Sequence, residues 1–296
     1  MDRGNDSMRR RRNGLSSHLL AAAAAIAIAL QLGCAAWPQP EARIGADADR
    51  LLPFGNPSNA AADAADRNNF LIVRSTYVLS YNDARGTANW AAWRLTAADL
   101  GESIPRPDFE PDGTLPAGFT RVTPSDYSGS GFDRGHLVPS ADRFADPRAN
   151  AETFLMTNVV PQTGDLNRNP WEKLERYSRS LARRGNTLYI FAGVYGERGE
   201  RLRGKVTVPR SCWKVILVLP RSDSPDTVVR GDTRVIAVDM PNRDGIADAN
   251  WRQYLTTVRE IERRTGLDLF SALPRDVQDA IETRLDPVSR LPATDE

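Results

Sequence analysis

Residues 133–142 read DRGHLVPSAD, and residues 158–184 read NVVPQTGDLNRNPWEKLERYSRSLARR. GHLVPSAD is a short extended segment, and TFLMTNVVPQ, ending at Gln162, is a second. The stretch from Asn169 has the grammar of a helix: Asn169 is placed as its N-cap, Pro170 falls in the first turn, and Gly185 follows the end. The expected order from about 132 to 184 is therefore strand, strand, helix. Leu174 and Leu181 mark the packing face of that helix. Trp171, Glu175 and Arg179, spaced four apart, form a separate ridge.

Working outward, FLIVRSTYVLSYN from Phe70 reads as a strand, with NWAAWRL from Asn89 as its hairpin partner through Asp83, Arg85 and Gly86. A loop rich in Pro, Gly and Asp fills Gly101 to about Gly131. After the helix, NTLYIFAGV, KVTVP, CWKVILVLP and TRVIAVDMP read as strands. Leu255, Val258 and Ile261 mark one closing helix, and Val277, Ile281 and Leu285 a second. Strands run in groups and helices are few. That predicts an α+β fold with a central, largely antiparallel β-sheet flanked by helices, not a doubly wound one.

The N-terminus reads differently. Arg9–Arg12 form a basic cluster, Leu19–Leu32 are apolar, and small residues follow. That stretch is too short for a membrane span and suits an export signal over residues 1–34. His18, one of two histidines, then leaves with the leader. Leu30 to Cys34 resembles a lipoprotein cleavage site, so a lipid anchor on Cys34 is an alternative to release. Cys212 is then the lone cysteine, and a buried apolar role suits it better than a nucleophilic one. Residues 35–68 read as a flexible linker, leaving 69–290 as a single domain. Losing the leader takes the formal net charge from +1 to about −2, so any grip on a polyanion must come from a local cluster of cations.

Such a cluster surrounds the remaining histidine: Asp133, Arg134, His136, Asn167, Glu175 and Arg179. A neutral imidazole accepts a proton near neutral pH and suits the role of general base. Arginine forks suit phosphate oxygens. An Asn amide oxygen is a hard ligand, fit for Mg²⁺. A helix covering both Asn167 and Glu175 would separate them by about 12 Å along its axis. Asn167 is therefore expected to bind Mg²⁺ directly and Glu175 through water. Together these make a minimal phosphodiester hydrolase.

DRGH at 133–136 with NVVPQTGDLNRNPWEKLERYSR at 158–179 resembles the DNA/RNA non-specific endonuclease family, sugar-non-specific nucleases with a ββα-metal finger. YNDARGTANWAAWRL, TLPAGFTRVTPSDYSGSGFDRGH, GKVTVPRSCWKVILVL and TRVIAVDMPN extend the likeness from about 70 to 286. The resemblance implies His136 as general base, Asn167 as sole direct protein ligand of Mg²⁺ (Mn²⁺ as alternative), and Glu175 as holder of metal-bound water. It implies Arg134 and Arg179 near the scissile phosphate, and Asp133 in support. Arg106, in SIPRPDFEPDG, is the candidate for a further phosphate clamp, at a spacing to Phe109 about one residue shorter than the family pattern. It also implies DNA and RNA, single- or double-stranded, as substrates, ends with 5′-phosphate, and a protein inhibitor as partner.

Blander roles are assigned elsewhere. Trp171 reads as a packing anchor, Arg183 and Arg184 as solvated helix-end charges, and Asp142 and Asn158 as loop-orienting residues. Tyr127 to Ser130 read as a flexible approach to the site. No G-x-S-x-G supports a serine hydrolase. A nucleic-acid-binding module with decayed catalysis is disfavoured by the joint presence of His136, Asn167 and Glu175. A toxin or effector nuclease is disfavoured by the plain leader.

Overall fold

The computed structural model describes residues 48–220 and 228–287. The leader with His18 and Cys34, and the linker up to residue 47, lie outside the described residues.

The apolar run SCWKVILVL forms β9 (Ser211–Leu219) and is buried at every position. A strand apolar on both pleat faces needs cover on both, which places it inside a layered sheet. β6 (Thr187–Tyr195) pairs antiparallel along all of β9, and β10 (Arg234–Pro241) pairs antiparallel on its other side. The sheet has seven strands in the order β1-β2-β3-β6-β9-β10-β11. Here β1 is Phe70–Val73, β2 Tyr77–Asn82, β3 Thr87–Leu95 and β11 Leu255–Thr256. All its pairings are antiparallel, as the α+β reading requires.

Side chains alternate across the sheet and feed two cores. Cys212, Ile216 and Val218 face one core, with Leu174 and Leu181. Trp213, Val215, Leu217 and Leu219 face the other, with Ile261 and Ile281. Leu174 and Leu181 belong to α2, whose main body is Glu172–Arg183. Ile261 and Ile281 belong to α3 (Val258–Thr265) and α4 (Arg275–Glu282). Helices therefore cover both faces, and the α2 face carries the site. The remaining named elements are β4 (Asp133–His136), α1 (Pro147–Glu152), β5 (Val159–Gln162), and the small pair β7 (Arg201–Leu202) and β8 (Val206–Thr207). Among the described residues no helix is long and apolar enough to cross a membrane.

Several boundaries differ from the sequence reading. FLIVRSTYVLSYN is two strands, broken where Arg74 N–H bonds Tyr77 O. KVTVP contributes only the two residues of β8. Leu255 lies in β11 ahead of α3, and Leu285 lies beyond α4, exposed. The largest correction concerns the linker: its described part, 48–68, is packed chain. Leu51, Leu52, Phe54 and Ala60 are buried in the second core, Leu71 N–H bonds Ala61 O, and Asp268 N–H bonds Pro57 O. Composition suggested a loose arm, but three large apolar side chains within four residues are enough to anchor it.

Candidate active site

β4 and β5 form an antiparallel ribbon with Asp133 opposite Gln162 and His136 opposite Val159. The glycine of DRGH is dictated by this pairing. A Cβ on Gly135 would lie 2.0 Å from Gln162 Oε1 and 2.7 Å from its Cγ. Gln162 is fully buried and cannot swing into solvent. Gly135→Ala is expected to cost about 1–3 kcal/mol of stability, as overpacking does. Adding Gln162→Ala should restore most of it. Denaturant midpoints for the single and double variants test this, and an unshifted single variant would sink it.

After β5 the chain enters its helix earlier than predicted. The Thr163 hydroxyl accepts the Leu166 N–H and caps a first turn, Gly164–Leu166. A π-turn follows at Asn167–Trp171 and leads directly into α2. Asn169 is thus not the N-cap; its side chain donates to Asp165 O at 3.1 Å. Pro170 explains the π-turn. Inside a regular α-helix its ring would strike the carbonyl four residues back and leave that acceptor unbonded. The wider i→i+5 turn gives it room, and such turns often mark functional sites.

Asp133 turns toward this helix start. Its Oδ2 accepts Asn167 Nδ2 at 3.0 Å and Arg168 Nε at 2.8 Å, and its Oδ1 accepts Arg168 Nη2 at 2.6 Å. Burial pushes its carboxyl up, but the bonds from Arg168 and Asn167 outweigh this and hold it below the usual range. An ionised carboxylate can only accept, so it fixes which end of the Asn167 amide faces it. Asn167 Oδ1 is left to point elsewhere, and among the described residues it takes no hydrogen bond.

Arg134 and His136, two apart on β4, both lie against Phe109, with its ring 5.3 Å from the Arg134 guanidinium and 5.2 Å from the imidazole. Phe154 meets the imidazole edge-on at 4.9 Å. The Arg106 guanidinium lies 5.2 and 5.3 Å from the same two rings. The loop carrying Arg106 and Phe109 is tied down by Glu110, whose N–H bonds Phe154 O and whose O accepts Met156 N–H. Buried Asp112 ties it further to Arg74, Thr114 and Thr157. Burial first, then the Arg106 charge, lowers the His136 pKa to about 3, so the ring is neutral. Its Nε2 is buried and lacks a hydrogen-bond partner, as does Arg134 Nε. Among the described residues neither Arg106 nor Arg134 has a carboxylate partner.

One cleft is lined by Arg106, Arg134, His136, Asn167, Glu175 and Arg179. The structure therefore brings together all the predicted residues, with Asp133 joined through Asn167. Arg179 is already engaged, 3.3 Å from Asp142 Oδ1 and 3.7 Å from Glu172 Oε1. Asp142 also accepts Trp93 Nε1 at 3.0 Å, so this loop-orienting residue reaches into the site. Glu175 Oε1 lies 3.3 Å from the ammonium of Lys214, a β9 residue. Burial raises the Glu175 carboxyl and lowers the Lys214 ammonium, and each opposes the other's shift.

Residues 56–276 match the DNA/RNA non-specific endonuclease family. A nuclease of Nostoc sp. is 47% identical over 265 residues, 88% of this chain and 95% of its own. The chain belongs to this family. It is a metal-dependent endonuclease, a hydrolase of the phosphodiester bond. Nuclease C1 of Cunninghamella echinulata is 33% identical to it, over 77% of this chain and 90% of its own. An endonuclease chain solved in the EndoG/EndoGI inhibition complex superposes with a TM-score of 0.64 at 25% identity, covering 77% and 92% of the two chains.

Some residues of this endonuclease escaped the sequence reading. Lys214 and Phe154 reach the site only through tertiary packing, and Arg168 through its ion pair with Asp133. The signal for Lys214 was a single charge inside a run otherwise apolar on both faces. Tyr127, read as part of a flexible approach, is buried, whereas Ser128 and Gly129 are exposed. Trp171 is a packing anchor and Asn158 a loop tie, as expected. Cys212 is buried and its thiol pushed up to about 12 by that burial, which leaves no reactive thiolate. An acidic trio, Glu262, Asp268 and Glu282, belongs to the α3–α4 side of the sheet. Arg259 ion-pairs with Glu282 there.

Proposed function

We propose that this endonuclease is exported and cuts DNA and RNA alike, using Mg²⁺ (Mn²⁺ as alternative) and leaving 5′-phosphate ends. The observation that carries the reading is the cleft's inventory of uncommitted groups. His136 with an orphaned ring nitrogen, two arginines without carboxylates, and Asn167 with its amide oxygen unpaired all line one cleft. Those residues fit a hard divalent cation: Asn167 offers an oxygen oriented by Asp133, and Glu175 adds negative charge beside it. Asn167 would hold the ion directly and Glu175 through water. When bound, the cation supplies positive charge for the oxygens of the phosphoryl group and leaving group.

The chain's own residues do the rest. Arg106 and Arg134 bind the phosphate, and Arg179, held by Asp142, adds charge at the cleft wall. His136 takes a proton from water, which attacks phosphorus as the bond to the 3′ oxygen breaks. The 2′-hydroxyl plays no part, which supports equal treatment of DNA and RNA. Recognition through phosphate and not base edges supports weak sequence preference. Export rests on the basic and apolar leader. A protein inhibitor is proposed by analogy with the inhibited EndoG chain.

Incubating the purified protein with plasmid and with total RNA, in Mg²⁺, Mn²⁺ and EDTA, tests the reading. Both substrates should be degraded with metal and spared in EDTA. Product ends should resist kinase labelling until dephosphorylated. Cutting in EDTA, or of one substrate only, would overturn it.

A further inference from the structure

We propose that Lys214 is a positioning residue for the acidic side of the metal site, holding Glu175 in the orientation that the cation requires. The inference rests on the metal-dependent reading above. Lys214 interrupts β9, where every residue is buried, and its side chain is 1% exposed. Burying an ammonium is costly unless something specific compensates. A lysine that only filled this space would be matched by methionine, of similar length and free of that cost.

The compensation is aimed at the site. Lys214 Nζ stands 3.3 Å from Glu175 Oε1 and 4.2 Å from the Trp171 ring, with Trp93 at 5.6 Å. Trp171 and Glu175 are four apart in one continuous helical run, so the ammonium engages a buried core ring and, one turn on, a carboxylate that lines the cleft. The same Trp93 donates its Nε1 to Asp142, which holds Arg179 one turn further along. The sheet thereby fixes Glu175 and Arg179 together. With Oε1 committed to Lys214, Glu175 Oε2 takes no hydrogen bond among the described residues, while Glu175 lines the cleft. Groups that hold a metal's ligands in place typically change metal affinity about 10–100-fold when removed.

The test uses the full chain and Mn²⁺ as probe, titrated calorimetrically without nucleic acid, alongside kcat and KM for DNA and a melting curve. The parent should bind Mn²⁺ and Asn167→Ala should not; if the parent neither binds nor cuts with metal, the metal-dependent reading itself fails. Given a binding parent, Lys214→Met should weaken Mn²⁺ at least about tenfold. It should lower kcat with KM for DNA within about twofold, and Lys214→Arg should recover part of the affinity. In a Glu175→Gln background, Lys214→Met should add no further loss. Parent-like Mn²⁺ binding in Lys214→Met, or an undiminished loss in the Glu175→Gln background, would overturn the proposal. Should Lys214→Met melt below the assay temperature, Lys214→Gln is read by the same criteria.

Discussion

His136→Ala should lower kcat by about 10²–10⁴-fold, the range a general base contributes, while binding of DNA in EDTA should stay close to the parent's. Two features make the effect large. His136 lines the cleft with its Nε2 unpartnered, and the ring is wedged between Phe109 and Phe154 with little freedom to turn. The phosphate-binding guanidiniums are separate side chains and survive the change, so affinity and rate should part company. The pH dependence sharpens the test. Burial holds the folded pKa near 3, so the base stays neutral across pH 5–8 and the parent's rate should show no acid limb near 6.5. Stability follows the same linkage. The unfolded chain takes up this proton below about pH 6.5, and the folded one does not until about pH 3. The contribution of a buried neutral ring is therefore whole above pH 6.5 and drains away as pH falls toward 3. Urea midpoints between pH 7 and 4 should fall more steeply for the parent than for His136→Ala. An acid limb at 6.5 in the parent would show instead that the imidazole titrates as if open to water.

Asn167→Ala should be comparably severe. Losing the direct ligand forfeits several kcal/mol of charge stabilisation, on the order of 10³-fold in rate, and raises the Mg²⁺ needed for half-maximal activity. Asn167→Asp is the more informative variant. A carboxylate is by itself a good ligand for a hard cation, so charge alone would predict rescue. Asp133 Oδ2, however, sits 3.0 Å from Asn167 Nδ2, and two carboxylates at that separation repel. Asn167→Asp alone should therefore remain impaired. Combined with Asp133→Asn, whose amide can donate across the gap, it should recover. Full activity in Asn167→Asp alone would remove Asp133 as the orienter of this ligand.

How far the sequence carried can be judged residue by residue. Periodicity read the strands around Phe70, Thr187, Ser211 and Arg234, and their grouping read the α+β class. The spacing of DRGH, Asn167, Glu175 and Arg179 named a set that the fold brings to one cleft with Arg106. The helix start was misplaced because Pro170 obeys first-turn rules so well. Thr163 ahead of Gly164-Asp165 was the competing cap, and only the π-turn reconciles it with a proline inside. Phe154, Lys214 and the engagement of Arg179 by Asp142 were out of reach. Each depends on which strand lies beside which, and local pattern holds no record of that. The packed segment 48–68 was hidden because its anchoring residues are three, without a period.

The π-turn also sets the angular relation of the two metal-side residues. At about 100° per residue, eight α-helical steps would leave Asn167 and Glu175 about 80° apart around the axis. A π-turn spends more residues on each revolution, so the five from Asn167 to Trp171 rotate less and bring the two side chains back toward one line. Relaxing those eight steps to regular α winding, with no residue lost, would carry the amide about 80° away from the carboxylate while every side chain of the site is still present.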